Sequence, residues 1–168
     1  MKRTFFSLAL LLAVATLTAQ TKMTAREAAV KIADRILAST TYEFKNTKTG
    51  EIYKSVKKLP LDMDVKVACK YNNWHYTNGV TNMALMELGD KLGDKKYEKY
   101  VLKNMNFVFN EGNLDFFRKQ YDEAFKRDGW NAVRKLSWHM IFRGKRLDDN
   151  GPMGASLIEL QLKYPNDS

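Results

Sequence analysis

Apolar residues recur at helical spacing along most of this chain and lose that rhythm in one long stretch, residues 40–73. Ahead of that stretch, Thr24-Ala25-Arg26-Glu27 has the form of a capping box, in which a hydroxyl and a carboxylate each satisfy a backbone N–H at the start of a helix. Ala25, Ala28, Ala29, Ile32, Ile36 and Leu37 then mark one face of a predicted helix over residues 24–39. Val30, Ala33 and Ala38 broaden that face, so packing on two sides is expected. Within residues 40–73, Asn46-Thr47-Lys48-Thr49-Gly50 predicts a turn joining residues 42–44 to Ile52-Tyr53 as a small hairpin. Lys58-Leu59-Pro60 and residues 69–73 read as loop, and a connection of this length is often functional.

The helical rhythm resumes at Trp74-His75-Tyr76-Thr77-Asn78-Gly79, with Val80, Met83, Ala84, Leu88 and Leu92 as the expected buried stripe. Gly93 stops that helix, and Asp94 caps the next, where Tyr97, Val101, Met105 and Val108 repeat. So short a connection predicts an antiparallel helical hairpin. Asn113 is the expected cap of a further helix carrying Leu114, Phe117, Tyr121, Ala124 and Phe125 on one face. Asp128-Gly129 should break it, leaving a shorter segment over residues 130–142. The last predicted helix starts after Pro152 and ends before Pro165, with Asn150-Gly151-Pro152 as a turn.

Residues 1–20 break the pattern in another way. Lys2 and Arg3 precede an apolar run over residues 5–17, and Thr18-Ala19-Gln20 offers small residues for cleavage. This is the form of an export signal, too short for a span of about 20 apolar residues. The expectation is an exported protein, periplasmic or secreted, with no membrane span once the signal is removed. Residues 21–168 then form one domain, long enough for a real core.

The chain has a formal charge of +9, two units of which leave with Lys2 and Arg3. Its positive residues are scattered among Asp and Glu, so nucleic-acid binding gains no support. Cys69, the only cysteine, has no internal partner and reads as a buried free thiol. His75 and His139 are the only histidines, and no metal-ligand spacing occurs. The residues imply no cofactor.

Candidate chemistry gathers at Arg146-Leu147-Asp148-Asp149-Asn150-Gly151-Pro152-Met153-Gly154. A carboxylate just ahead of a helix is commonly its cap. One cap needs one side chain, and two adjacent Asp leave the second without that duty. Trp74 and Tyr76 offer flat ring faces for stacking on a ligand, or else aromatic packing at a helix start. Asn78 would hydrogen-bond a ligand or cap its helix. Arg143, Lys145 and Arg146 are possible partners for a carboxylate or simply a solvated basic loop.

Trp74-His75-Tyr76-Thr77-Asn78-Gly79-Val80, Met83-Ala84-Leu85, Leu92-Gly93-Asp94-Lys95-Lys96-Tyr97 and Tyr100-Val101 together resemble the opening helical hairpin of the unsaturated glycuronyl and rhamnogalacturonyl hydrolases, glycoside hydrolase families 88 and 105. The stretch over residues 147–157 resembles the same families' Leu-Asp-Asp…Gly-x-Met-Gly-Ala segment. The resemblance covers roughly residues 74–164. It implies an all-α fold built as part of an (α/α)6 toroid of helical hairpins, with the active site at one end of the inner ring. It also implies removal of a 4,5-unsaturated uronic acid from oligosaccharides that polysaccharide lyases produce. In that chemistry an aspartic acid protonates C4 of the vinyl ether, water adds at C5, and the hemiketal opens to expel the remaining saccharide.

Carried over to this chain, Asp149 fits the Asp-x-x-x-Met-Gly spacing and is the expected catalytic carboxyl, with Asp148 as cap or orienting neighbour. Trp74, Tyr76, Asp148 and Asn78 are the expected substrate contacts. The families bring another Asp from a later helix, so whether Asp149 would give the proton or tune the group that does stays open. So does the saccharide, galacturonyl-rhamnose or a glycosaminoglycan product. Family members run to more than twice this length, so residues 21–168 are expected to be the N-terminal part of such a domain, truncated and inactive by itself. The alternative from another class is a small secreted helical module that binds a glycan or protein without chemistry.

Overall fold

Thr24 and Glu27 close their capping box reciprocally. The Glu27 N–H donates to Thr24 Oγ1 (3.2 Å) and the Thr24 N–H to Glu27 Oε2 (2.8 Å), bonds that hold the Glu27 carboxyl below its usual pKa. They open helix α1 (Ala25–Ser39). The computed structural model describes residues 23–110, 112–144 and 147–165, with the side chain of Asp149 outside that set. The expected export signal over residues 1–20 lies outside the described residues, as do Lys145 and Arg146. The chain divides into two compact units, Met1–Ile32 and Ala33–Ser168. The first is described over residues 23–32, and the second holds the remaining elements.

The predicted hairpin is present, and a third strand joins it. Strands β1 (Phe44–Asn46) and β2 (Ile52–Tyr53) pair antiparallel with Phe44 opposite Tyr53. Their turn is fixed by Asn46, whose Oδ1 accepts from the N–H groups of Lys48 (2.9 Å) and Thr49 (3.1 Å). Strand β3 (Val65–Val67) lies on the other edge of β1, with Phe44 opposite Val67, giving the order β2-β1-β3. Alternating burial along β1 turns Phe44 and Asn46 inward and Lys45 outward. Short 3₁₀ turns at Val56–Lys58 and Lys70–Asn72 occupy much of what the sequence marks as loop.

Five more helices follow: α2 (Tyr76–Leu92), α3 (Lys96–Phe109), α4 (Asn113–Val133), α5 (His139–Arg143) and α6 (Leu147–Lys163). The described fold is therefore mainly helical, as the periodicity predicts, with one small three-stranded sheet. The α2–α3 hairpin forms where Gly93 takes the left-handed conformation (φ 66°), and the Asp94 N–H returns to the Gly89 carbonyl (3.0 Å). Asp94 Oδ1 then accepts from the Lys96 N–H (3.0 Å), capping α3 as expected. The ring of Tyr97 is fully buried, with its hydroxyl donating to Asp34 Oδ1 on α1 (2.9 Å). Gly93, Asp94 and Tyr97 thus each have a structural duty in the hairpin.

The buried face of α2 is not the one its apolar stripe implies. Asn78, Gly79, Asn82, Leu85, Met86 and Gly89 face inward, while Val80 is 55% and Met83 40% exposed, and Ala84 is exposed too. The reason is close backbone approach. A Cβ at Gly79 would lie 2.4 Å from the Pro152 carbonyl carbon and 2.5 Å from the Met153 nitrogen, and one at Gly89 would lie 3.1 Å from the Asp94 oxygen. Neighbours this near select the smallest residues, and a face chosen for smallness does not register as hydrophobic.

Helix α4 is capped by Gly112 (φ 74°) rather than by Asn113, which is its first residue. It kinks where predicted, at Asp128 (φ −148°) and Gly129 (φ 50°, ψ −133°). The expected continuous segment over residues 130–142 is instead interrupted: α4 ends at Val133, and Trp138 adopts a left-handed conformation (φ 56°) ahead of α5. Trp138 is fully buried, its indole N–H on the Asn72 carbonyl (2.7 Å) and its ring 4.6 Å from that of Phe117. It joins Phe44, Tyr97, Val101 and Met86 in the main core. Burial of side chains this size is worth about 1.5–3 kcal/mol each.

Candidate functional site

Helices α2 and α6 run parallel in close contact. Gly79 meets Pro152 at one end, and Lys163 meets Asp90 (2.7 Å) at the other, an equal advance along both helices. The crossing brings together the two segments in which candidate chemistry was expected. The Trp74 indole N–H donates to Asn150 Oδ1 at 2.8 Å, tying the residue ahead of α2 to the first turn of α6. At the far end Lys163 also reaches Glu98 (3.8 Å), and the Tyr164 hydroxyl donates to Glu98 Oε2 (3.0 Å). The Lys163 ammonium holds the Asp90 carboxyl below its usual pKa, and that carboxylate raises Lys163 in turn.

The residues 150–152 are not a turn. Helix α6 begins at Leu147, so both Asp residues belong to its first turn and Pro152 lies inside it. Pro152 is the sixth residue of the helix and has no N–H for the Asp148 carbonyl, so one rung of the i→i−4 ladder is missing. Carboxylates in a first turn are favoured by the helix dipole. Asp148 is exposed there. The backbone of Asp149 lies beside Asn150, and its side chain is outside the described set.

Around that turn, the predicted substrate contacts fall into two groups. Trp74 is only 7% exposed, its ring set edge-on to Phe109 at 5.8 Å. Buried so, it offers no open face to a sugar and acts by holding Asn150. Asn78 is buried inside α2, its Nδ2 donating to the carbonyls of Asn73 (2.6 Å) and Lys70 (2.9 Å). It neither caps the helix nor faces outward. The cap is His75, whose Nδ1 accepts from the Thr77 N–H (3.4 Å). Tyr76, in contrast, is 47% exposed and lies 4.7 Å from the His75 ring. Tyr76 is the predicted aromatic contact that keeps an accessible ring.

Elsewhere, His139 Nδ1 bonds the Leu136 carbonyl (2.8 Å), and the Arg143 guanidinium stacks 3.9 Å from the Trp130 ring. Cys69 is a buried free thiol. Among the described residues no group of His, Cys, Asp and Glu could hold a metal ion, and no helix is long and apolar enough to cross a membrane.

Several hollows lie away from this junction, two of them bordering α4. One, of about 930 Å³, is lined by four carboxylates (Asp62, Asp64, Glu123, Asp128) and four cations (Lys66, Lys126, Arg127, Lys135), which offset one another. Burial lowers the pKa of Lys66 there, and its Nζ donates to the Lys135 carbonyl. The other is smaller, about 300 Å³, between the hairpin and the α3–α4 connection. Sequence reasoning passed over both, because each is assembled from elements far apart in the chain. Comparison with known protein families, curated proteins and solved structures finds no match to this chain.

Proposed function

We propose that this chain carries part of the active site of an exported glycoside hydrolase that removes a 4,5-unsaturated uronic acid from lyase-generated oligosaccharides. The observation that supports this reading is the Trp74–Asn150 bond beside the Gly79–Pro152 contact. Through these, the two segments that resemble the unsaturated glycuronyl and rhamnogalacturonyl hydrolases meet at one end of a parallel helix pair. Parallel inner helices joined through antiparallel return helices are what an (α/α)6 toroid requires, and α2, α3 and α6 are arranged compatibly.

In this reading Asp149 is the carboxyl that serves the vinyl ether, giving a proton to C4 or tuning the group that gives it. The chemistry needs a carboxyl whose pKa lets it donate and then recover a proton. Asp148, exposed in the same turn, orients the substrate or stabilises the helix start. Tyr76 supplies a ring face for the sugar. Trp74 and Asn78 position this surface from behind. Their burial also favours, as a second reading, a module that binds without chemistry, since it leaves fewer groups free to react.

The test is turnover. The product of the whole reading frame that includes residues 1–168 should consume the ultraviolet absorbance of unsaturated galacturonyl-rhamnose or of an unsaturated glycosaminoglycan disaccharide. It should leave the saturated counterparts intact. Binding of both forms without loss of absorbance would replace the hydrolase with the binding module.

A further inference from the structure

We propose that Lys66, in the hollow between β3 and the kinked end of α4, is an amine that captures small hydroxylated aldehydes and ketones as a reversible imine. Two hydrogen bonds fix the backbone on either side of it. The Val65 carbonyl accepts from Gln120 Nε2 on α4 (3.0 Å), and the Val67 N–H donates to Ser137 Oγ (3.0 Å). Gln120 is fully buried and also donates to the Asp62 carbonyl, which holds the loop entering β3 to α4 as well. The Lys66 side chain thus leaves a backbone anchored on both flanks and donates through Nζ to the Lys135 carbonyl, just beyond α4. A nucleophile held in this way meets its partner without first being ordered.

The same setting makes the amine reactive. Burial lowers its pKa, the Lys135 ammonium acts in the same direction, and the Asp64 carboxylate opposes both. More of it is therefore neutral at neutral pH than of an exposed lysine. The remaining charged groups around it are Lys45, opposite it on β1, Asp62 from the loop, and Glu123, Lys126, Arg127 and Asp128 of α4. Glu123 and Lys126 pair with each other at 2.9 Å. A backbone carbonyl accepts an N–H from a neutral amine too, and that bond leaves the nitrogen lone pair available. The lone pair adds to the carbonyl carbon of the ligand, and one amine proton passes to the carbonyl oxygen to give a carbinolamine. That hydroxyl then leaves with the second amine proton as water, and C=N remains. Addition of water reverses the step, and no oxidant or reductant is consumed.

The lining sets the class of ligand. Four carboxylates and four cations offset one another, so the hollow selects neither an anion nor a cation. Together they supply acceptors and donors side by side, and a hydroxyl uses both at once, so a neutral polyhydroxylated molecule fits them. The volume, about 930 Å³, is at the large end of ligand sites and admits an open-chain sugar. Nothing in the Asp149 junction takes part, so capture at Lys66 and hydrolysis there stand or fall separately.

The test is reductive trapping of the whole chain with glyceraldehyde and cyanoborohydride, followed by peptide mass mapping. Cyanoborohydride reduces the imine to a stable secondary amine. Lys66 should be modified at least about tenfold faster than the exposed Lys57, since orienting the carbonyl and assisting its proton transfers are each worth at least that. The preference for Lys66 should shrink with propionaldehyde, which has no hydroxyls, and should vanish in urea, where the hollow no longer exists. Equal rates at Lys66 and Lys57 in the folded chain, an undiminished preference with propionaldehyde, or a preference that survives in urea would overturn the proposal.

Discussion

Gly79 is the residue on which the junction turns. A methyl group there would overlap the Pro152 and Met153 backbones, which cannot swing aside as a side-chain tip can. Gly79→Ala should therefore destabilise the protein by about 1–3 kcal/mol, the range for overpacking, although alanine is the better helix former. Urea denaturation monitored by circular dichroism would check this through a lower midpoint at unchanged slope. Trp74→Phe keeps most of the ring and removes the donor to Asn150, so about 1 kcal/mol should be lost. Both residues stand in the sequence without a hint of this pairing. Trp74 reads equally well as a sugar platform, and only the position of Asn150, far along the chain, decides otherwise.

Among the elements, those written in neighbouring residues were legible. The Thr24–Glu27 capping box, the Asn46–Gly50 turn, the Gly93–Asp94 hinge and the Asp128–Gly129 kink all follow from local backbone chemistry, and each is where the sequence places it. What depends on distant partners was not legible. Strand β3 is three residues that matter only because Phe44 lies opposite Val67. The inward face of α2 is set by α3 and α6, which demand glycine where the apolar pattern points elsewhere. Helix α6 begins five residues ahead of Pro152, because Pro and Gly signal a turn locally while packing against Gly79 keeps the segment helical. The hinge gives an element-level prediction. Gly93→Ala forces a left-handed φ on a side chain and should cost about 1 kcal/mol or slightly more, read as a lower thermal midpoint.

For the whole molecule, ion pairs join elements that the core also holds. Lys96 pairs with Asp34 (2.9 Å) between α3 and α1, and Lys163 with Asp90 (2.7 Å) between α6 and α2. Hydrogen bonding to these ammonium groups lowers the pKa of both carboxyls, and Tyr97 contributes at Asp34. A carboxyl lowered on folding adds stability that is present above its unfolded value of about 3.9 and lost as pH falls through the folded value. Both pairs are solvent-exposed, so the contribution is modest. Asp34→Asn and Asp90→Asn should each lower the thermal midpoint by a few degrees at neutral pH, and the gap from the unmodified protein should close in strong acid. A gap that persists in acid would assign the effect to packing.

The helical class and the α2–α3 hairpin were thus readable from periodicity, whereas the meeting of residues 74–79 with residues 147–153 required the fold. That meeting is where the proposed chemistry is placed, with Asp149 as its carboxyl. The most direct measurement is the initial rate of absorbance loss from an unsaturated uronyl disaccharide, comparing Asp149→Asn with Asp148→Asn in the whole reading-frame product. The account predicts a fall of about 10²–10⁴-fold for Asp149→Asn, the scale of general acid catalysis, and less than about tenfold for Asp148→Asn. Equal rates for Asp149→Asn and the unmodified protein would contradict it.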